Sequence, residues 1–147
     1  HCGAFAVIRL CSYFLAYFAL CTAVQFTPRT GFLWTLALVL ERALSGFAVA
    51  AFPLAKDTGL AHTFATAADK QTVRRFLCGL SALLILALTA LGGGGLAAAA
   101  LLALWRYYFV AKKQFGGITG DLAGWFLQRA ELWMLAALAV SQWGGVL

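Results

Sequence analysis

Long apolar stretches alternate with short polar segments along this chain. Each stretch is close to the roughly 20 residues that a helix needs to cross the hydrocarbon core of a bilayer. Each is apolar all round, unlike a surface helix of a soluble protein, and each is too rich in alanine and leucine for a strand. The pattern predicts five membrane-spanning helices at 3–25, 32–54, 76–92, 94–111 and 121–146, with boundaries good to about four residues.

Four consecutive glycines separate the third and fourth stretches, at 92–95. Glycine reaches backbone angles that other residues avoid, so this run predicts a tight turn between two antiparallel helices. A phosphate-binding loop is the alternative, but the Lys-Ser/Thr pair that completes such a loop does not follow. We therefore expect a turn.

The composition excludes a soluble protein. Of the 147 residues, 63% are hydrophobic and only 11% are charged, whereas about a quarter of a soluble domain is charged. The length fits one domain, so residues 1–147 are expected to form a single membrane domain. The first stretch lacks the basic start and cleavage site of a signal peptide. Because the chain begins with His1 rather than Met, we expect it to be a fragment of a larger all-α bundle.

The basic residues concentrate in two of the segments between the spans. They are Lys56, Lys70, Arg74 and Arg75 in one segment, and Lys112 and Lys113 in the other. Five spans place both segments on one side, and the positive side is normally cytoplasmic. The sequence thus predicts a multi-pass protein of the cell inner membrane with a cytoplasmic active face.

The net charge of +6 suits anionic lipid headgroups or an anionic substrate. Nucleic acid is not an expected partner, because the basic residues are few and flank membrane spans.

Charged side chains also occur inside the predicted spans, where a central charge costs about 2.5–3.5 kcal/mol. They are Arg9, Glu41, Arg42, Arg129 and Glu131. One interpretation is an ion pair that holds helices together, such as Arg42 with Glu131. The other is a functional role within the membrane, and the sequence leaves both open.

A glycine-rich polar turn, GGITGD at 116–121, precedes the last span. Asp121 is a candidate helix N-cap, and a carboxylate beside the amides of a helix start also suits Mg²⁺ together with phosphate. These two roles are compatible. Asp121 shares a helix face with Gly124, Gln128 and Glu131, but Glu131 lies about 15 Å deeper. We expect Glu131 to anchor the helix rather than to share a metal with Asp121.

The segment after the second span carries three more polar candidates. Lys56 could neutralise a phosphate, Asp57 could bind a metal, and His62 could act as an acid or base. A single loop histidine is, however, more often simply solvated.

Two stretches stand out together: LERALSGFAVAAFPLAKDTGLAHTF and KKQFGGITGDLAGWFLQRAELW. They resemble the later part of the cobalamin synthase family, the adenosylcobinamide-GDP ribazoletransferases. The matching positions are Arg42, Pro53, Gly59, Leu60, Gly116, Gly117, Thr119, Gly120, Asp121, Gly124 and Glu131, together with His1 and Gly3. One departure is Glu41, which stands where the family has a serine. The resemblance covers essentially the whole chain.

The resemblance implies a transferase that joins α-ribazole, or its 5′-phosphate, to adenosylcobinamide-GDP and releases GMP, the step that assembles the nucleotide loop of cobalamin. Mg²⁺ is the implied cofactor, and the two substrates and the lipid bilayer are the implied partners. A further acidic motif of the family is absent from this sequence. We therefore expect these 147 residues alone to be inactive.

The residues assigned to this chemistry lie at the predicted cytoplasmic end. They are Asp121 and Asp57 for the metal, Gly116, Gly117, Thr119, Gly120, Lys112 and Lys113 for phosphate, and Lys56 and His62 for catalysis. A CDP-alcohol phosphotransferase is an alternative, but its aspartate-rich signature is not found here. A transporter or non-catalytic membrane subunit is another, with the intramembrane charges along a path.

Overall fold

The computed structural model describes residues 3–53 and 70–145, and five helices make up most of these ranges. They are α1 (Ala4–Ala23), α2 (Pro28–Ala51), α3 (Lys70–Ala90), α4 (Gly94–Val110) and α5 (Gly120–Trp143), with a π-helical turn at Ala111–Phe115 between the last two. The predicted all-α fold is confirmed.

Two helices begin earlier than the apolar pattern predicted. The start of α3, from Lys70 to Arg75, is polar, but lysine, glutamine and arginine are good helix formers. At the start of α2, Thr27 and Thr30 form a capping box, and Pro28 occupies the first turn. Both features favour a helix start. Hydropathy locates the apolar part of a helix, whereas propensity and capping decide where the helix begins.

The helices run alternately up and down, so their ends form two groups. At one end, Gln25 and Gln142 exchange hydrogen bonds of 2.9 and 2.8 Å between side chain and backbone. At the other, the Ile118 amide donates to the Pro53 carbonyl oxygen at 2.9 Å. We call this second group of helix ends the Pro53 end. It brings together the exit of α2 and the GGITGD turn, as the predicted topology requires.

Small side chains mediate the packing of α4 on α5. The alanines at 97, 99, 100 and 103 are all buried, and such residues let helices approach closely in a membrane, where packing drives association. Near the Pro53 end, the Tyr107 and Phe126 rings stack with centroids 5.0 Å apart. Helix α1 differs, because none of its described residues is buried and it contacts mainly α5.

Four helical segments are long and apolar enough to cross a membrane: α1, α2, α3 and Gly94–Phe115. Helix α5 has 24 residues, which is sufficient length, but Arg129 and Glu131 lie near its middle and lower its hydropathy. It packs against α4, α2 and α1. The predicted polytopic bundle is therefore confirmed, and α5 packs against three of the other helices.

We expect Gly93→Val to destabilise the bundle more than the neighbouring Gly94→Val. A Cβ atom at Gly93 would lie 3.2 Å from both a Leu33 methyl carbon and the Leu88 carbonyl oxygen, and such overpacking costs about 1–3 kcal/mol. At Gly94, the nearest atom would be a Thr89 methyl carbon at an ordinary 3.7 Å. Thermal unfolding in detergent measures the difference. Equal midpoints for the two variants would contradict the tight packing at this turn.

Candidate functional site

The π-helical turn ends in a glycine pair that redirects the chain towards α5. Gly116 has a φ of 69°, in the left-handed region that favours glycine. The amides of Gly116 and Gly117 both donate to the Ala111 carbonyl oxygen. Ile118 is then tied to Pro53. These bonds fix the position from which α5 begins.

Thr119, rather than Asp121, is the N-cap of α5. Its hydroxyl accepts a hydrogen bond from the Leu122 amide at 3.3 Å. Asp121 lies in the first turn with an exposed side chain, where the helix dipole favours a negative charge. The interpretation of Asp121 as the cap is wrong. Its role as a metal ligand stays a prediction.

The amides at this turn differ in their availability to a phosphate. Those of Gly116 and Gly117 are engaged by Ala111 in this conformation. The amides of Gly120 and Asp121, by contrast, are among those that a helix start leaves without an intrahelical acceptor. Such amides suit an anion. The phosphate-binding prediction therefore rests more firmly on Gly120 than on the preceding glycine pair.

A cavity of about 700 Å³ opens beside the turn, between α1, α4 and α5. We call it the Asp121 cavity. Its polar lining comes from Arg9, Arg106, Gln114, Thr119 and Asp121, and aromatic side chains complete the wall. The volume lies in the range of sites for small organic ligands. The cavity thus brings together a carboxylate, two guanidinium groups and the start of a helix.

Arg9 and Arg106 were not assigned to the site from the sequence. Arg9 lies about 8 Å beyond the start of α1, and Arg106 lies about 6 Å before the end of α4. An arginine at such a depth indicates a nearby cavity or a bundle interior, because intramembrane charges usually face one of these. The two residues are far apart in the sequence, so only the fold shows that they line one cavity.

The lysines predicted for the site are placed differently. Lys112 and Lys113 are exposed on the π-helical turn, outside the lining of the Asp121 cavity. The Lys112 ammonium lies 5.8 Å from the centroid of the Tyr108 ring. The predicted phosphate role of both lysines stays a prediction. Lys56, Asp57 and His62 lie outside the described residues, and their predicted roles are untested.

Nearly the whole chain aligns with one protein family: the family described as cobalamin-5-phosphate synthase matches residues 1–139. The chain belongs to this family. It is also 40% identical over 148 residues to the adenosylcobinamide-GDP ribazoletransferase of Lachnoclostridium phytofermentans. This alignment covers 95% of the chain and 53% of the relative. The chain therefore spans about half the length of that curated relative. No solved structure matches it. The resemblance seen in the sequence is confirmed.

The side chains around the Asp121 cavity are compatible with Mg²⁺ at Asp121. Mg²⁺ is usually held by one or two carboxylates, with water and substrate phosphates completing its shell. Asp121 offers one exposed carboxylate on the cavity. Across residues 3–53 and 70–145, no three acidic, histidine or cysteine side chains cluster as a metal site. A site of the substrate-bridged kind fits these residues, and a closed structural metal site does not.

The predicted ion pair between α2 and α5 is confirmed. Arg42 Nη2 lies 3.4 Å from Glu131 Oε1, and Arg42 Nε lies 3.4 Å from Glu41 Oε1. Glu41 is fully buried, and within the described ranges neither of its carboxylate oxygens has a hydrogen-bond partner. The described part of the chain therefore holds two carboxylates around one guanidinium group. The cluster joins two helices and does not line the Asp121 cavity.

Proposed function

We propose that this chain carries part of the site at which α-ribazole, or its 5′-phosphate, is joined to adenosylcobinamide-GDP with release of GMP. The relative from Lachnoclostridium phytofermentans is an adenosylcobinamide-GDP ribazoletransferase. The observation that carries the proposal is the Asp121 cavity, where an exposed carboxylate and the start of α5 meet. Transfer at a diphosphate depends mostly on positioning and charge neutralisation, and these groups suit both tasks.

The proposed reaction exchanges one P–O bond for another. A hydroxyl oxygen of the ribazole attacks the phosphorus bound to the cobinamide, and the bond from that phosphorus to the oxygen of GMP breaks. GMP leaves with the bridging oxygen, and the hydroxyl loses its proton, for which His62 is the proposed acceptor. The first amides of α5 would donate to a phosphate oxygen. Mg²⁺, held by Asp121 with Asp57 as a second proposed ligand, would supply further charge neutralisation.

The same proposal puts the chain in the cell inner membrane with the Pro53 end facing the cytoplasm. It is supported by the basic residues near this end, which include Lys70, Arg74 and Arg75 at the start of α3 and Lys112 and Lys113 on the π-helical turn. Basic residues beside spans are enriched on the cytoplasmic side. The substrates would then reach the Asp121 cavity from the cytoplasm.

Membership of the cobalamin-5-phosphate synthase family supports the transferase over the two alternatives. A CDP-alcohol phosphotransferase would require a signature that this sequence lacks. A transporter path was suggested by the intramembrane charges, but Glu41, Arg42 and Glu131 are engaged with one another. The ion pair between α2 and α5 explains these intramembrane charges without a transport path.

A chimera tests the proposal. The chain would replace the matching part of its Lachnoclostridium phytofermentans relative and be expressed in membranes without this activity. We expect GMP release from adenosylcobinamide-GDP that requires both α-ribazole and Mg²⁺. The intact relative is the positive control. A chimera that inserts and folds but releases no GMP would contradict the proposal, and release without α-ribazole would indicate hydrolysis instead.

A further inference from the structure

We propose that Arg9 and Arg106 bind the diphosphate of the nucleotide-activated substrate in the Asp121 cavity. The identity of that substrate rests on the proposed function. The assignment of the two arginines rests on their position, their charge and the lack of an ion-pair partner for either one within the described residues. The ligand class is a nucleoside diphosphate or its ester.

The two arginines converge on the cavity from different helices. Arg9 projects from α1 and Arg106 from α4, and both line the cavity that Thr119 and Asp121 border at the start of α5. Both lie within about 8 Å of the helix ends at the Pro53 end. A ligand entering from this end would therefore meet the start of α5 and both guanidinium groups in one space.

Within residues 3–53 and 70–145, no ion pair balances the charge of these arginines. Among the residues that the structure describes, the ion pairs within 4 Å are those of Arg42, so neither Arg9 nor Arg106 is paired with Asp121. Two guanidinium groups and one carboxylate leave the cavity lining with a positive excess. A bound anion would balance it.

The geometry of the guanidinium group suits a phosphate. Its planar fork matches two phosphate oxygens, so each arginine can form a bidentate, charge-assisted contact. Apolar and aromatic side chains, including Val110 and Trp125, form the rest of the wall. Two arginines could thus engage the two phosphates of a diphosphate.

Lipid headgroups offer the same phosphate chemistry. A long arginine side chain near a helix end can extend to the interface, and both residues are exposed in the structure. The two sources differ in one respect: a soluble nucleotide would bind in a bilayer of neutral lipid, whereas a headgroup site would be occupied by lipid. The test must therefore control lipid composition.

Equilibrium binding of radiolabelled GDP to the 147-residue chain in nanodiscs tests the proposal. In phosphatidylcholine discs with Mg²⁺, we expect wild type to bind GDP and inorganic pyrophosphate to displace it. Arg9→Gln and Arg106→Gln should each weaken binding by about tenfold or more. The matched control, Arg75→Gln, removes an exposed arginine of α3 outside the cavity and should change binding by less than about twofold.

Arg106→Lys keeps the positive charge but loses the planar guanidinium group that can form two parallel hydrogen bonds. This variant should therefore bind GDP more weakly than wild type and more tightly than Arg106→Gln. Unfolding in detergent establishes that each variant is folded. Wild-type affinity in both glutamine variants would overturn the proposal. So would a chain that binds no GDP in phosphatidylcholine but retains phosphatidylglycerol through Arg9 and Arg106, because the site would then belong to lipid.

The outcome is separable from that of the proposed function. GDP binding that needs both arginines, with no GMP release from the chimera, would sustain the diphosphate site and refute the transferase. GMP release that is unaffected by Arg9→Gln and Arg106→Gln would sustain the transferase and refute the arginine assignment.

Discussion

Asp121→Asn is expected to lower Mg²⁺-dependent GMP release from the chimera by about 100-fold or more. Loss of one pre-organised charge at a site of phosphoryl transfer has effects of this order, and Asp121 is the carboxylate of the described residues that lines the cavity. Asparagine keeps the size of the side chain and removes the charge. The measurement is the initial rate of GMP release over a range of Mg²⁺ concentrations.

The Mg²⁺ dependence separates a ligand from a merely structural carboxylate. If Asp121 acts only on the dipole of α5, its loss should cost about 0.3–1 kcal/mol of stability and leave the Mg²⁺ concentration for half-maximal rate unchanged. If it binds the metal, that concentration should rise, and Asp121→Glu should recover part of the rate. Full activity in Asp121→Asn at low Mg²⁺ would exclude the metal role.

The helices were predictable because each depends on a local property of the sequence. About twenty apolar residues are enough to specify a span, and the glycine run at 92–95 indicates the turn between α3 and α4, although Gly94 and Gly95 already lie in α4. The start of α3 at Lys70 was missed because a hydropathy pattern does not report helix propensity in polar residues.

The site was predictable only in the part that is continuous in sequence. Thr119 and Asp121 follow the glycine pair directly, and both line the cavity. Arg9 and Arg106 join them through the packing of α1 and α4 beside α5, which no local pattern encodes. The engagement of the Gly116 and Gly117 amides by Ala111 also depends on the π-helical turn, a feature without a sequence signature in this chain.

The ion pair was predictable because a charge inside a span needs a partner, but the contact of Arg42 with both Glu41 and Glu131 was not predicted. The family resemblance makes Glu41 the unusual member, since a serine is expected there. Because two carboxylates share one arginine, we expect a substitution of Arg42 to lower the stability of the bundle.

Arg42→Gln is expected to destabilise the bundle by about 1–3 kcal/mol, the cost of leaving a buried acceptor without its partner, rather than the larger cost of breaking a fully buried ion pair, because the Arg42 side chain is 62% exposed. It would leave Glu41 and Glu131 facing one another without a counter-charge, and Glu41 is 0% exposed with no hydrogen bond to either carboxylate oxygen in the described part of the chain. An uncompensated buried charge is costly. Chemical unfolding in detergent, followed by tryptophan fluorescence, measures the change. Arg75→Gln, an exposed arginine on α3, is the control and should change stability by less than about 0.5 kcal/mol.

The double variant Glu41→Gln/Arg42→Gln identifies the cause of that loss. Removing Glu41 as well takes away the surplus negative charge at nearly constant volume, so the double variant should be more stable than Arg42→Gln alone. Glu41→Gln by itself should cost little, because Arg42 still pairs with Glu131 at 3.4 Å and the pair is then balanced. The alternative outcome is that the free-energy changes of the two substitutions add and the double variant is no more stable than Arg42→Gln. Arg42 and Glu41 would then be energetically independent, and Arg42 would stabilise the bundle through Glu131 alone.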